Sequence, residues 1–291
     1  MTAGAITLSR FRTAARTRRR SARRPLSMII GVSILGVLIG TGILALFWTP
    51  YPPMSTGVGP IYGAPSLQHP FGTDRLGADV LSRTMAAATL DVSITVAVVL
   101  LSLTFGTLWG SIAGFYGGWF DYSTMRALEL LNSFPSLLLA MLVIAVAGPG
   151  ILNVILVVAL LPLPDYVRLA RAEIRSKKTW QFAEAAQLVG RRPSGVLFSH
   201  LVPNSLRPLL TYASVNASHV AATVGALGFL GLGIQPGAAE WGSMIARGQD
   251  AILSGQWWVA AFPGIAIFLL AAAFHLISDA IADSRDRGGA W

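Results

Sequence analysis

Catalysis needs nucleophiles, paired acids and bases, or metal ligands at workable spacing, and this chain is poor in all three. Its 291 residues include no cysteine and four histidines, so there is no thiol nucleophile, disulfide or thiolate metal site. No Gly-Lys pair occurs anywhere, which removes the G-x-x-x-x-G-K-[ST] phosphate cradle; H-E-x-x-H and G-x-S-x-G are absent too. Ser199 and His200 are adjacent, but in a basic stretch outside the apolar runs, which is no place for an active site at lipid depth. His219 and His275 fall inside apolar runs, Asp91 stands at the mouth of another, and Asp279 and Asp283 lie past the end of the last. Ion-coupled carriers place chains of such groups within their spans. Each lone histidine here reads instead as a packed, hydrogen-bonded residue. The expectation is a protein that is not an enzyme, with no catalytic residue, metal site or cofactor in this chain.

A different spacing stands out between Asp165 and Pro208. Phe182, Ala185, Ala186 and Val189 recur at i, i+3, i+4 and i+7, one thin apolar face on a short helix. Thr179 is a possible N-cap, and Gly190 fits a left-handed C-terminal stop. Arg191 and Arg192 lead to Ser194, a second possible N-cap, and a second short helix is predicted to run to about Leu201 and stop before Pro203. Two short helices at a sharp bend suit insertion into a partner's cleft.

The elements that must hold this knob are membrane spans. Charged residues make up 12% of the sequence against 54% from the apolar set, and a soluble domain carries about 25% charged residues. Apolar runs long enough to cross a bilayer, about 20 residues, occur at 28–48, 92–113, 130–147, 208–232 and 259–278. A shorter one near 150–166 ends in Pro162 and Pro164. The expected fold is therefore all-α and integral to the membrane, with about six transmembrane helices. It divides into an Arg-rich tail (1–27), a first helix (28–48), an extracytoplasmic segment (49–88), a core (89–281) carrying the 165–207 loop, and a C-terminal tail (282–291). The first helix is too long for a signal peptide and is followed by Phe47, Trp48 and Tyr51 in place of a cleavage site.

Lys and Arg fix the predicted orientation. With the N-terminus cytosolic, 19 of the 22 fall on the cytosolic side and three, Arg75, Arg83 and Arg247, outside. That asymmetry puts both termini and the 165–207 loop in the cytosol. The net charge of +9 then faces anionic lipid and not nucleic acid. Glycines at every fourth position (Gly36 and Gly40; Gly106, Gly110 and Gly114) let helix backbones approach closely, inside this bundle or at a dimer face.

Glu184-Ala185-Ala186, then Gly190, then His200-Leu201-Val202-Pro203 resembles the EAA signature of binding-protein-dependent ABC importer permeases. HPFGTDRLGADVLSR (69–83), GFYGGWFD (114–121), FPSLLLA (134–140), GPG (148–150), FLGLG (229–233), Trp241-Gly242 and FPGIAI (262–267) follow the order of the dipeptide/oligopeptide/nickel branch, as in its second permease subunit. Asp91 departs from that pattern, standing where the branch usually has a basic residue. The resemblance implies a bacterial inner-membrane permease that moves short peptides inward. Its partners would be a homologous second permease subunit, two ABC ATPase subunits and an extracytoplasmic solute-binding protein. It assigns ATPase docking to Phe182, Glu184, Ala185, Ala186, Val189, Gly190, Leu201, Pro203 and Asn204, with ATP hydrolysed on the partner subunits. A nickel or other small-solute permease, and a membrane scaffold with no solute path, are the alternatives. The 69–83 segment reads either as a helix lying on the outer membrane surface, with Asp79 and Arg83 paired, or as a surface for the delivering protein.

Overall fold

The computed structural model describes residues 24–234 and 237–288. The arginine tail before Arg24 lies outside the described residues. Among those described, regular structure is helical: α1 (Arg24–Ala45), α2 (Val80–Tyr116), α3 (Gly118–Asn132), α4 (Ser136–Ala147), α5 (Ile151–Leu160), α6 (Leu163–Lys177), α7 (Gln181–Leu188), α8 (Pro193–Val196), a π-helical turn (Leu197–Leu201), α9 (Val202–Phe229), α10 (Trp241–Leu253) and α11 (Trp258–Gly288).

Helices α1, α2 and α11 are long and apolar enough to cross a membrane; α3–α4 and α5–α6 qualify as bent pairs, at 87° and 44°. The bends fall where the sequence frees the backbone, at Ser133-Phe134-Pro135 and at Leu161-Pro162. The sixth expected span is α9. At 28 residues it is about 42 Å long, but it is not among the helices apolar enough throughout to cross a membrane. Large apolar side chains remain exposed along the spans, among them Phe105, Leu142 and Phe268. That is what a bilayer solvent permits and water does not.

Several boundaries differ from the sequence reading: α1 lies at Arg24–Ala45 and not 28–48, the 130–147 run is broken between α3 and α4, and α9 starts at Val202 and not at 208. The largest differences are in α2 and α11. Helix α2 starts at Val80, twelve residues before the predicted span, and its 37 residues reach about 55 Å. Arg83 and Asp91 interrupt the hydropathy there, yet both are buried and partnered. Arg83 approaches Asp74 at 3.7 Å, and Asp91 Oδ2 accepts the Trp241 backbone N–H at 3.0 Å. Asp91 is thus a packed residue within the helix and not a residue at its mouth. At the other end α11 continues to Gly288, through most of the predicted C-terminal tail.

Segment 69–79 is a folded turn, not a surface helix. Gly57, Val58 and Gly59 donate backbone hydrogen bonds to the carbonyls of Leu76 and Gly77, and Thr73 N–H donates to Gly63. Asp79 does not pair with Arg83. It caps α2, accepting Ser82 N–H at 2.8 Å and Ser82 Oγ–H at 2.7 Å, while its other oxygen meets His69 Nδ1 at 2.9 Å. Phe71 stacks on Phe262 with centroids 3.9 Å apart, fastening this turn to the start of α11. Glu240 caps α10 in the same manner, accepting the N–H groups of Gly242 and Ser243 at 2.7 Å each. Burial pushes the Glu240 carboxyl above its ordinary range, and those two hydrogen bonds only partly oppose the shift.

The glycine repeats have opposite fates. Gly106, Gly110 and Gly114 press α2 against α6: a Cβ on each would meet Tyr166 Cβ, the Val167 carbonyl or the Arg171 carbonyl at 2.3, 2.3 and 2.7 Å. This seam is internal packing. A Cβ on Gly36 or Gly40 would meet nothing within 4 Å.

Candidate functional site

The loop between α6 and α9 is held from below by three long polar side chains. Lys177 Nζ donates to Glu173 Oε2 at 2.7 Å and to the Asn204 carbonyl at 2.9 Å, tying the end of α6 to the start of α9. Lys178 Nζ donates to the Phe115 carbonyl at 2.7 Å and lies over the Phe115 ring at 5.0 Å. Arg171 on α6 clamps Asp121 on α3 through both carboxylate oxygens, and Arg175 approaches the same carboxylate at 3.5 Å. Cations at a helix C-terminus also suit its dipole. Loop, α2 and α3 are therefore joined by charge as well as by packing.

Helix α7 starts one residue later than predicted. Trp180, not Thr179, is the N-cap, and its carbonyl accepts the N–H groups of Ala183 and Glu184 at 2.9 and 3.1 Å. Its end matches the expectation. Gly190 is left-handed at φ +78°, and Arg191 N–H donates to the Ala186 carbonyl at 3.2 Å, the six-to-one bond of a Schellman stop.

The predicted apolar face is split. Ala183 and Ala186 point inward, into a core with Phe115, Ile174, Val196, Leu197 and Leu201, and Phe182 is half-buried against it. Ala185 and Val189 face outward, and so does Leu188, 87% exposed. Ala186 and Leu201 are thus braces beneath the knob, while Glu184, Ala185, Val189, Gly190, Pro203 and Asn204 lie on its surface. Periodicity alone could not tell the two sides of an eight-residue helix apart, because both carry alanine. Trp180, half exposed, and Leu188 join this outer surface, and the spacing of the apolar face in the sequence does not single them out. A hollow of about 480 Å³ opens beside them, lined by Thr179, Trp180, Gln181 and Phe182. The Glu184 carboxylate is exposed and has no hydrogen-bond or ion-pair partner among the described residues.

After Arg192, which caps α8 with Pro193 in its first turn, the chain does not stop at Pro203. Ser194 is inside α8, not its cap. The helical path runs unbroken from Pro193 to Phe229 through the π-turn, where Val202 N–H reaches back five residues to the Leu197 carbonyl. Pro203 sits in the first turn of α9. A proline lacks the N–H that would continue the ladder, and the wider turn before it absorbs that defect.

The arrangement is a small rigid knob on the end of three helices. It has apolar and acidic groups outside and a braced interior. Residues 106–287 match the family model for the binding-protein-dependent transport system inner membrane component. A dipeptide transport system permease protein of Alkalihalophilus pseudofirmus is 34% identical over 89% of this chain and 84% of its own length. A probable D,D-dipeptide transport system permease protein of Escherichia coli is 38% identical over 76% and 74%. A glutathione transport system permease protein of Escherichia coli is 35% identical over 92% and 88%. The relatives are transport permeases, and the chain belongs to the binding-protein-dependent transport system inner membrane component family.

Proposed function

We propose that this chain is one permease subunit of an ATP-driven importer of short peptides, working with a homologous second permease. The outer face of α7 carries the reading: Trp180, Glu184, Leu188 and Val189 stand in the open on a knob whose own core is already filled. Exposed apolar groups of that kind mark a partner surface. Two ABC ATPase subunits dock there and on the equivalent knob of the second permease. Nucleotide is bound by those subunits and not by this chain. Closure of the ATPases moves α7, and the Lys177, Lys178 and Arg171 ties pass the displacement to α9, α2 and α3. Packed helices respond by shifting as bodies and not by bending.

The knob and both termini face the cytosol of a bacterial inner membrane, in keeping with the Lys and Arg asymmetry. An extracytoplasmic binding protein delivers substrate to the opposite surface, formed by segment 49–79 and α10. The relatives named for dipeptides and for glutathione support a substrate of two or three residues.

Uptake of labelled di- and tripeptides and of nickel, in cells with and without this chain, tests the proposal. The expected result is ATP-dependent peptide uptake that disappears with the chain. Uptake that survives ATP depletion, or loss of nickel uptake alone, would overturn the peptide-importer reading.

A further inference from the structure

Helix α9 carries a polar stripe. Tyr212, Asn216, His219 and Thr223 follow one another at spacings of four, three and four, which aligns them on one helix face over about 17 Å. This stripe interrupts the apolar run of α9. With α3 to α6 it encloses a cavity of about 550 Å³, whose polar lining also includes Asn132 and Asp165. That volume lies within the range of small-molecule sites, about 300–1,000 Å³.

Both helix breaks border the same cavity, through Phe134 on one side and Leu161 and Pro162 on the other. Interrupted backbone at membrane depth persists where it is buried in protein or lines a water-filled space, because hydrocarbon offers it no partner. The polar groups are only partly spent on each other. Tyr212 Oη–H donates to Asp165 Oδ2 at 3.1 Å, and Arg168 reaches Asp165 Oδ1 at 3.4 Å. The Asn132 amide oxygen, turned toward Arg168, accepts from its two terminal nitrogens at 2.7 and 2.9 Å. Tyr166 Oη–H donates to Asn216 Oδ1 at 3.4 Å, which leaves the Asn216 NH₂ group available. The His219 ring has no hydrogen-bond partner among the described residues, so the sequence expectation of a packed, bonded histidine does not hold.

We propose that this cavity is this chain's half of the substrate path, and that the α9 stripe holds the peptide main chain independently of its side chains. The inference rests on the peptide-importer reading. Each peptide residue presents one N–H and one C=O. The Asn216 amide donates to a carbonyl, and the His219 ring donates to one or accepts from an N–H. Asp165 and Arg168, both still solvent-accessible, meet the charged amino and carboxyl ends.

The absence of cysteine makes the test direct. Single variants Asn216→Cys, His219→Cys and Thr223→Cys are assembled into the complete transporter in proteoliposomes and treated with a water-soluble methanethiosulfonate reagent. Val37→Cys, on the exposed apolar surface of α1, serves as the comparison. The stripe positions are expected to react at least tenfold faster than Val37→Cys, and a labelled dipeptide supplied with binding protein and ATP should slow them severalfold. The double variant Asn216→Leu/His219→Leu should lose at least tenfold in uptake for dipeptides of differing side chains alike. Wild-type import with an unreactive or unprotected stripe, or wild-type rates in the double variant, would overturn this proposal alone. A wild-type complex that imports no peptide would overturn the importer reading on which it stands.

Discussion

Two alanine substitutions at glycines of the same four-residue spacing should have opposite effects. At Gly110 a Cβ would lie 2.3 Å from the Val167 carbonyl oxygen and 2.8 Å from Ala170 Cβ. Ordinary contact needs about 3.5 Å, so α2 and α6 would have to separate by about 1 Å. They cannot tilt apart locally. Gly106 and Gly114 hold the turns on either side at equally short range, and Arg171 is tied to Asp121. Overpacking of this kind costs about 1–3 kcal/mol, against which alanine returns about 0.5–1 kcal/mol of helix propensity. At contacts this short the overpacking cost falls in the upper part of that range, about 2–3 kcal/mol, so Gly110→Ala should lose about 1–2.5 kcal/mol. Gly36→Ala meets open space and keeps the propensity gain, up to about 1 kcal/mol. Thermal unfolding of the assembled transporter, followed by tryptophan fluorescence, measures the difference between the two. A Gly36→Ala loss as large as that of Gly110→Ala, or a neutral Gly110→Ala, would refute the seam.

Gly190→Val should leave the fold intact but strain the left-handed stop by about 1–2 kcal/mol, so that ATPase activity persists while uptake falls. Gly190→Asn, which tolerates that conformation, should keep both, and equal uncoupling by the two variants would point to crowding instead. Leu188→Asp should change stability by under about 0.5 kcal/mol, because the side chain is exposed, yet abolish co-purification of the ATPase subunits; full recovery of them would remove Leu188 from the contact. The Glu240 carboxyl, raised above its ordinary value of 4.5 by burial, binds its proton more tightly folded than unfolded. Its contribution to stability is thus complete below about that pH and is lost as pH rises through the raised value. Glu240→Gln stays neutral, so its melting temperature should gain on wild type as pH rises from 4 to 8; a gap that does not change with pH would exclude the linkage.

Local signals were legible in the sequence. Gly190 acts through its immediate neighbours, and the chain ends α7 where that residue implies. The bends at 133–135 and 161–162 carry prolines but fall within or at the end of runs that read as single spans. The early start of α2 was not legible. Arg83 and Asp91 look like interruptions until Asp74 and the Trp241 N–H, the latter 150 residues away, are seen to partner them. Sidedness was equally hidden on α7, where alanine serves both the brace and the surface. Pro203 read as a stop because nothing in residue type announces a π-turn before it. His219 read as a packed histidine because its neighbours along the stripe are apparent only when counted around a helix whose extent was not yet fixed.

The π-turn at Leu197–Leu201 has a consequence for angular phase. A wide turn accommodates one residue beyond the regular winding, and each residue of an α-helix advances about 100° around the axis. Everything after Leu201 is therefore rotated by about that angle from where an uninterrupted helix from Pro193 would carry it. The knob and the stripe are indexed to each other through this one offset. Regular α-winding through 197–201 with every residue kept would turn Tyr212, Asn216, His219 and Thr223 by about 100° away from the cavity they line. Deleting one residue there would instead remove the wide turn and leave their direction unchanged. In this stretch the winding of the backbone, and not residue identity alone, aims the stripe relative to the knob.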